Sequence, residues 1–207
     1  MSKDASFWDR HAARYAKSKI SDQASYEQKL ALTQGVFTPL TRVLEIGCGT
    51  GSTALIHAPK VAAIRAVDFS GEMIAIARQK AKDAGIDNIA FEVAGLDDLD
   101  ADEGTYDVVM AMSVLHLLGD LDHALSRIHD LVAPGGKFVS STACLGEKMW
   151  FMKPLAPIGR ALGLLPTFKV FTRKHLEARL KANGFQIVQS WRPKKALAVF
   201  IIAERPA

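Results

Sequence analysis

A glycine-rich loop stands directly after a short apolar segment at 42–46. Gly47, Gly49 and Gly51 alternate there with other residues. Because glycine has no side chain, the backbone can turn tightly and a ligand can approach the main chain closely. Asp68 ends a second apolar segment, 17 residues after Gly51, where a carboxylate can accept hydrogen bonds from ribose hydroxyls. These residue types and spacings predict a site for a nucleotide-like ligand.

Strand-like and helix-like segments alternate through most of the chain, which predicts parallel βα units. The predicted strands cover residues 42–46, 62–67, 89–93, 106–112, 137–142, 185–188 and 197–202. The predicted helices cover residues 4–18, 24–36, a stretch that begins near Ser52, 71–83, 120–132 and 173–182. Ser70 and Thr172 are predicted N-caps. Pro134-Gly135-Gly136 and Gly184 are predicted to end the helices before them. No helix separates the last two strands, so they should pair antiparallel. The prediction is an α/β fold with seven strands, mostly parallel, that finishes in an antiparallel pair.

The length of 207 residues predicts a single domain that covers 1–207. The two cysteines, Cys48 and Cys144, are far apart and form no disulfide framework. The first residues do not resemble a signal peptide. We therefore expect a reducing, cytoplasmic setting.

Charge is distributed unevenly along the chain. Residues 1–147 hold 14 Lys and Arg against 20 Asp and Glu, whereas residues 148–207 hold 12 Lys and Arg against two acidic residues. A basic end could face an anionic substrate, a phospholipid surface or nucleic acid, or it could form an ordinary solvated face. The basic residues are not interleaved with a regular row of aromatic residues, so no nucleic-acid partner is expected.

An apolar segment at 149–166 interrupts the alternation of strands and helices. It contains Trp150 and Phe151 and is broken by three prolines. The segment is too short and too broken to span a bilayer, which needs about 20 apolar residues. We expect residues 146–172 to form an insert that lies over the active-site mouth or on a membrane surface. Residues 1–36 are expected to form two helices that cap the domain.

Five motifs occur in order along the chain. They are Glu45-Ile46-Gly47-Cys48-Gly49-Thr50-Gly51, Asp68 with Ser70 and Met73, Tyr106-Asp107-Val108-Val109, Ser113-Val114-Leu115-His116, and Pro134-Gly135-Gly136. In this order and spacing they resemble the class I S-adenosylmethionine-dependent methyltransferases, and most closely the small-molecule group that includes enzymes of ubiquinone and menaquinone biosynthesis. The opening segments Phe7-Trp8-Asp9 and Ala13-Arg14-Tyr15 are similar to the first helix of that group. The resemblance covers essentially the whole chain and implies a Rossmann-like sheet with helices on both faces.

The resemblance implies that the chain binds S-adenosylmethionine as its cofactor. The residues that would form the cofactor site are Tyr15, Glu45, Gly47, Cys48, Gly49, Gly51, Asp68, Phe69, Met73, Gly95, Leu96, Met112, Ser113 and Leu115. The glycines would let the backbone pass under the methionine portion and the ribose, and Asp68 would hold the ribose hydroxyls. Phe69, Met73 and Leu96 would pack on the adenine ring, because apolar walls suit a flat heterocycle.

Other residues implied by the resemblance surround the methionine end of the cofactor. Met112, Ser113 and Leu115 would border the sulfonium and the methyl group. Glu45 would orient the glycine loop and its ligands, and Tyr15 could reach over the methionine end.

One position departs from the pattern of the family. Relatives often place an acidic residue after the third strand to accept a hydrogen bond from the adenine amino group, and the matching position here is Gly95. Asp97 and Asp98 follow two and three residues later. Either Asp97 in a shifted loop or backbone groups would then recognise adenine.

Methyl transfer from a sulfonium is an in-line displacement, in which positioning can supply much of the catalysis. A general base is needed only where the acceptor must lose a proton. His116 is the candidate, because imidazole titrates near neutrality and the residue lies just past the fourth strand, although a structural or capping role is the alternative.

His57, His123 and His129 show no metal-ligand spacing with carboxylates, so they are expected at the surface and no metal is expected. The resemblance and the apolar, basic insert together favour a small, hydrophobic or anionic acceptor, with peripheral membrane contact left open.

Two other function classes remain open from the sequence. Gly49-x-Gly51-x-x-Ala54 matches a degenerate dinucleotide fingerprint of a nicotinamide-dependent reductase. The Tyr-x-x-x-Lys motif that a short-chain reductase might use runs from Tyr15 to Lys19, before the first strand and away from the place of that active site. A non-catalytic binding module with the same fold is the third possibility.

Overall fold

Six α-helices and seven strands alternate along the residues that the structure describes. The computed structural model describes residues 3–147, 168–193 and 196–207, with side chains from residue 5 onward. The helices are α1 (Lys3–Ala16), α2 (Gln23–Gln34), α3 (Ser52–His57), α4 (Gly71–Asp83), α5 (Leu121–Leu131) and α6 (Arg173–Ala182). The strands are β1 (Arg42–Ile46), β2 (Ala63–Asp68), β3 (Ile89–Val93), β4 (Tyr106–Met112), β5 (Val132–Ala143), β6 (Gln186–Trp191) and β7 (Ala198–Glu204). The apolar segment at 149–166 lies outside the described residues.

All seven strands form one sheet in the order β3-β2-β1-β4-β5-β7-β6. The pairs among β1 to β5 are parallel, whereas β7 runs antiparallel to both β5 and β6. The predicted α/β fold, with its mostly parallel seven-stranded sheet and C-terminal antiparallel pair, is confirmed. The strand order reverses between β1 and β4, and sheets of this kind bind ligands in the crevice beyond the carboxyl ends of two such strands.

Helices cover both faces of the sheet and bury it. On one face Leu125 of α5 and Leu176 of α6 belong to a buried cluster with Phe138 of β5. On the other face Ala54 of α3 and Ile74 of α4 belong to a second buried cluster. Burial on both faces explains why the central strands are nearly continuous apolar runs in the sequence. Within the described ranges, no helix combines the length and the apolar character that a membrane crossing requires.

Two predicted N-caps are confirmed by hydrogen bonds from helix backbones. Ser70 Oγ accepts from the backbone N of Met73 at 3.2 Å, and Thr172 Oγ1 accepts from the backbone N of His175 at 3.1 Å. Each bond satisfies one of the free N–H groups at the start of a helix. The Ser70 cap matters for function, because it fixes the start of α4 directly after Asp68.

The fifth strand begins earlier than predicted. β5 starts at Val132, whereas the sequence suggested residue 137. The segment Pro134-Gly135-Gly136 lies inside the strand, where Gly135 has a φ of +75°. The pairing of β4 with β5 shifts between Tyr106 and Val108. The segment therefore ends α5 as expected, but it also forms an irregular first part of the next strand.

The prediction that His57 lies at the surface is wrong. Its side chain is fully buried, and its ring packs edge-to-face on Phe37 with 5.1 Å between the ring centroids. Its Nδ1 lies 3.4 Å from Nε2 of Gln34. Burial lowers the pKa of His57 to about 4. α3 has only six residues, too few for a periodic pattern to reveal which side faces the core.

Candidate functional site

The glycine loop after β1 depends on both backbone shape and close packing. Gly47, Gly49 and Gly51 have φ angles of +65°, +54° and +72°, a region that residues with a Cβ atom rarely adopt. A Cβ atom at Gly47 would lie 2.6 Å from Cγ2 of Val114, and one at Gly51 would lie 2.8 Å from the ring of Phe91. At positions 47 and 51, both the positive φ and the lack of space therefore exclude a side chain.

Asp68 ties the end of β2 to this loop. Its Oδ2 accepts a hydrogen bond from the backbone N of Gly49 at 2.9 Å, and its Oδ1 accepts from the backbone N of Ser70 at 2.9 Å. Burial raises the pKa of Asp68, and the two backbone hydrogen bonds oppose that shift. Because a carboxylate has about four lone-pair positions, it can accept further hydrogen bonds from a ligand.

Two adjoining cavities open at the carboxyl ends of β1, β2 and β4. Four residues line both of them, namely Gly47, Asp68, Phe69 and Val114. The first cavity is also lined by Trp8, Tyr15, Gly49, Met73, Met112, Ser113 and Leu117. The second cavity is also lined by Ile46, Ala94, Gly95, Leu96, Asp97, Asp98, Leu118, Gly119, Asp120, His123 and Ala124. Their empty spaces, with the solvent at their mouths included, are about 440 Å³ and 950 Å³.

Helix α1 covers the first cavity. Trp8 and Tyr15 line it, and their rings meet edge-to-face with 6.1 Å between centroids. Asp9 holds the helix in place, because its Oδ1 accepts from Ser70 Oγ at 2.6 Å and from the backbone N of Glu72 at 3.2 Å. Partial burial raises the pKa of Tyr15, and the carboxyl groups of Asp68 and Glu45 raise it further. Trp8 was not among the predicted site residues, although its helical spacing from Tyr15 placed both on one face.

On β1 and in the glycine loop, three predicted site residues line neither cavity, namely Glu45, Cys48 and Gly51. Glu45 is 1% exposed, and its Oε2 has no hydrogen-bond partner among the described residues. Burial and the nearby Asp68 raise the pKa of Glu45 to about 8. Cys48 is also buried, and burial followed by the two carboxyl groups raises its pKa. Glu45 can therefore act on a ligand through its charge, whereas Cys48 is a neutral thiol that contributes through its place in the loop.

The second cavity is lined by Gly95 and by the two carboxylates that follow it, Asp97 and Asp98. Asp98 Oδ2 accepts from the backbone N of Gly95 at 3.0 Å, so this carboxylate stabilises the turn after β3. Asp97 Oδ1 shares a hydrogen bond with His123 Nε2 at 2.8 Å, and both side chains are largely exposed. Leu96 is buried and forms part of the apolar wall. Each carboxylate near the predicted adenine position thus already has a protein partner.

The chain bends sharply where it leaves β4. Ser113 has a φ of +64°, a strained value for a residue that is not glycine, and strain of this kind clusters at functional sites. Its backbone N donates to the carbonyl of Ser141 at 2.7 Å. The bend turns Val114 and Leu117 towards the cavities. Leu115, which was predicted to border the cofactor, is fully buried in the core instead.

His116 lies in the short 3₁₀ turn that follows this bend. Its carbonyl accepts from the backbone N of Lys169 at 2.6 Å. Its Nδ1 is buried without a hydrogen-bond partner among the described residues, and burial lowers the pKa of the imidazole. His116 lines neither of the two cavities. In the described part of the chain, no group of three or more His, Cys, Asp or Glu is placed to hold a metal ion.

Residues 43–136, which run from β1 to the start of β5, match a protein family of methyltransferase domains. These residues carry a methyltransferase domain. The match contains the glycine loop, Asp68, the turn after β3 and the bend after β4, so it includes most of both cavities.

Proteins with different methyltransferase names are similar in sequence to this chain. A ubiquinone biosynthesis O-methyltransferase of Azotobacter vinelandii is 31% identical over 154 residues, which are 70% of this chain and 65% of that protein. A phosphatidylethanolamine N-methyltransferase of Cereibacter sphaeroides is 32% identical over 123 residues, 58% of each chain. The chain spans 58% of the phosphatidylethanolamine N-methyltransferase and 65% of the ubiquinone biosynthesis O-methyltransferase, which is less than two thirds of either relative.

The fold of the methyltransferase domain also occurs in solved structures. The structure of geranyl diphosphate methyltransferase in complex with S-adenosylmethionine superposes with a TM-score of 0.74 and 16% identity, over 88% of this chain and 84% of that one. At this identity the likeness shows the shared fold alone.

Proposed function

We propose that this chain binds S-adenosylmethionine in the first and second cavities and transfers its methyl group to a small, hydrophobic or anionic acceptor. One observation carries the proposal. The two cavities meet at Gly47 and Asp68, at the point where the strand order reverses, with a buried carboxylate between them. An elongated ligand with a ribose in its middle fits this arrangement.

The residues present fit such a cofactor in shape and in charge. Phe69, Met73 and Leu96 supply apolar walls for a flat ring. A side chain at Gly47 would overlap Val114, so only glycine leaves the backbone next to the cavity. Glu45 places a buried, unpartnered carboxyl oxygen beside Asp68, and this acidic setting suits a cationic ligand.

When bound, S-adenosylmethionine supplies a methyl group that its sulfonium has already activated. The chain then has to orient the acceptor and keep water out. Orientation of two reactants can lower a barrier by about 7–11 kcal/mol. Met112, Ser113 and Leu117 form one wall for this purpose, and Trp8 and Tyr15 of α1 form the cover.

His116 is the proposed general base for an acceptor that must lose a proton. Burial keeps its imidazole neutral at a lower pH than usual, and the buried Nδ1 has no described partner to compete for a proton. Its position one residue before Leu117 brings it near the first cavity without lining it. A general base of this kind contributes about 10²- to 10⁴-fold in rate.

Two lines of reasoning support a hydrophobic or anionic acceptor. The names of the two relatives specify a quinone pathway and a phospholipid, both of them lipid-like. The excess of Lys and Arg in residues 148–207 suits an acceptor with an acidic group, or one presented at an anionic membrane surface. We also propose that residues 1–36 close over the cofactor.

Turnover is tested by following S-adenosylhomocysteine formation with matched acceptors that carry a hydroxyl, a carboxyl or an amine on the same apolar skeleton. The proposal expects product above the acceptor-free rate with at least one of them, and loss of that product in Asp68→Asn. Binding of S-adenosylmethionine without product from any acceptor would contradict the enzymatic part of the proposal.

A further inference from the structure

A third cavity lies between the start of α2 and the connection from β6 to β7. Tyr26 and Lys29 of α2 line one side, and Pro193 and Leu197 line the other. Its empty space, with the solvent at its mouth included, is about 980 Å³. Ala198 at its edge is paired with Ala143 at the end of β5, so the cavity opens on the same edge of the sheet as the cofactor cavities.

Lys29 is a half-buried ammonium whose interaction with Asp22 opposes the effect of burial on its pKa. Its Nζ donates to Ser141 Oγ at 3.0 Å, and it forms no ion pair with a carboxylate in the described ranges. Burial lowers the pKa of Lys29. A charge that is removed from water without a counter-ion costs free energy, and an anionic ligand would offset that cost.

The ammonium lies close to the wall of the first cavity. Ser141, which accepts from Lys29, also accepts through its carbonyl from the backbone N of Ser113 at 2.7 Å. Ser113 lines the first cavity, where the methyl group is proposed to emerge. Ser141 therefore links the Lys29 ammonium to a residue that lines the first cavity.

The third cavity has charges of opposite sign at different positions along α2. Asp22 lines the cavity seven residues before Lys29, about 10 Å away along the helix. Its carboxyl oxygens already accept from the backbone N and the Oγ of Ser25, at 3.1 and 2.6 Å. Among the described lining residues, Lys29 therefore places a positive charge at the end next to the sheet, and Asp22 places a negative charge at the other end.

We propose that the third cavity receives an anionic group of the methyl acceptor, a carboxylate or a phosphate, and that Lys29 is its charge partner. This inference rests on the proposed function and names the acceptor class for it. An acceptor that presents a protonated amine at this end meets the Lys29 charge and is excluded.

The test uses the full chain saturated with S-adenosylhomocysteine and titrated by calorimetry with octanoate, octyl phosphate and octylammonium. Either anion should bind the wild type at least tenfold more tightly than the cation, and the two anions distinguish a carboxylate from a phosphate. Lys29→Met should lose at least tenfold in anion affinity, while Lys29→Arg should stay within about threefold because it keeps the charge. Exposed Lys17→Met is the matched control and should change nothing.

A second variant separates charge recognition from a structural role of α2. Asp22→Asn keeps an N-cap but removes the negative charge two helical turns before Lys29, so anion affinity should rise about twofold. The inference alone is overturned if the protein binds S-adenosylhomocysteine but shows no preference for anions, or if Lys29→Met retains that preference. Failure to bind S-adenosylhomocysteine at all would overturn the proposed function as well.

Discussion

The carboxylate of Asp68 accepts a hydrogen bond from the backbone N of Gly49 at 2.9 Å. The two residues are 19 positions apart in the chain, and the bond joins the end of β2 to the loop after β1. Asp68 therefore has two structural roles, since it orders the glycine loop and also lines both the first and the second cavity. Loss of the carboxylate should disturb the loop and the ligand together.

Gly47→Ala should destabilise the protein more than Gly85→Ala. Both glycines have a φ near +65°, but a Cβ at Gly47 would lie 2.6 Å from Val114, whereas nothing lies within 4 Å of one at Gly85. Backbone strain alone costs about 1–2 kcal/mol, and overpacking adds about 1–3 kcal/mol. Denaturant unfolding of both variants measures the difference, and equal losses of unfolding free energy would contradict the packing argument.

Binding of S-adenosylmethionine at pH 7 should release roughly one proton from Glu45. The pKa of Glu45 is raised to about 8, so its carboxyl is protonated at pH 7 in the free protein. A cationic ligand favours the ionised form and lowers that pKa, whereas at a pH well above 8 the proton has already left. Affinity for S-adenosylmethionine should therefore increase from pH 6 to pH 8 and then level off.

Calorimetry in phosphate and in Tris buffer counts the released protons. S-adenosylhomocysteine, whose sulfur carries no positive charge, should release fewer, and Glu45→Gln should remove the difference between the two ligands. Equal proton release by both ligands in the wild type would show that Glu45 does not sense the sulfonium.

His57→Leu should remove part of the acid sensitivity of folding. The pKa of His57 is lowered from 6.5 to about 4 in the folded protein, so the unfolded chain takes up a proton first as the pH falls. Stability is therefore lost from about pH 6.5 downwards, by about 3 kcal/mol once pH 4 is reached. Unfolding free energies at pH 7.5 and pH 4.5 measure this loss. The exposed His123→Leu is the control, and an unchanged pH dependence in His57→Leu would refute the assignment.

His116→Gln should lower turnover by about 10²- to 10⁴-fold with an acceptor that must lose a proton. Its affinity for S-adenosylhomocysteine should stay within about twofold, because His116 lines neither cofactor cavity. In the wild type, the acid limb of the rate should fall below pH 6.5, since burial lowers the pKa of this imidazole. Rates of S-adenosylhomocysteine formation by the wild type and by His116→Gln measure this loss, and the exposed His175→Gln is the control. Turnover within threefold of the wild type would exclude His116 as the base.

Periodicity and turn residues predicted the sheet and the helices well, because both are local features of the sequence. The place of Asp68 beside the glycine loop was also predictable, since parallel strands bring their carboxyl ends together. The orientations of residues 114–117 were not predictable, because they follow from the φ of +64° at Ser113. Val114 and Leu117 face the cavities, while Leu115 enters the core.

Contacts between distant elements account for the other differences. The burial of His57 depends on Phe37, which follows α2, and no local pattern in the six residues of α3 reveals it. Trp8 joins the site only because Asp9 fastens α1 to Ser70 at the start of α4. Such contacts are tertiary, and a single sequence does not display them.

Calorimetric binding of S-adenosylmethionine, with S-adenosylhomocysteine, NADH and NADPH alongside, tests the central claim most directly. We expect both adenosyl ligands to bind the wild type, Asp68→Asn to weaken them at least tenfold, and exposed Asp87→Asn to leave them unchanged, because Asp68 supplies a charged acceptor inside the site. The nicotinamide cofactors should not bind. Binding of NADH or NADPH without either adenosyl ligand would contradict the account.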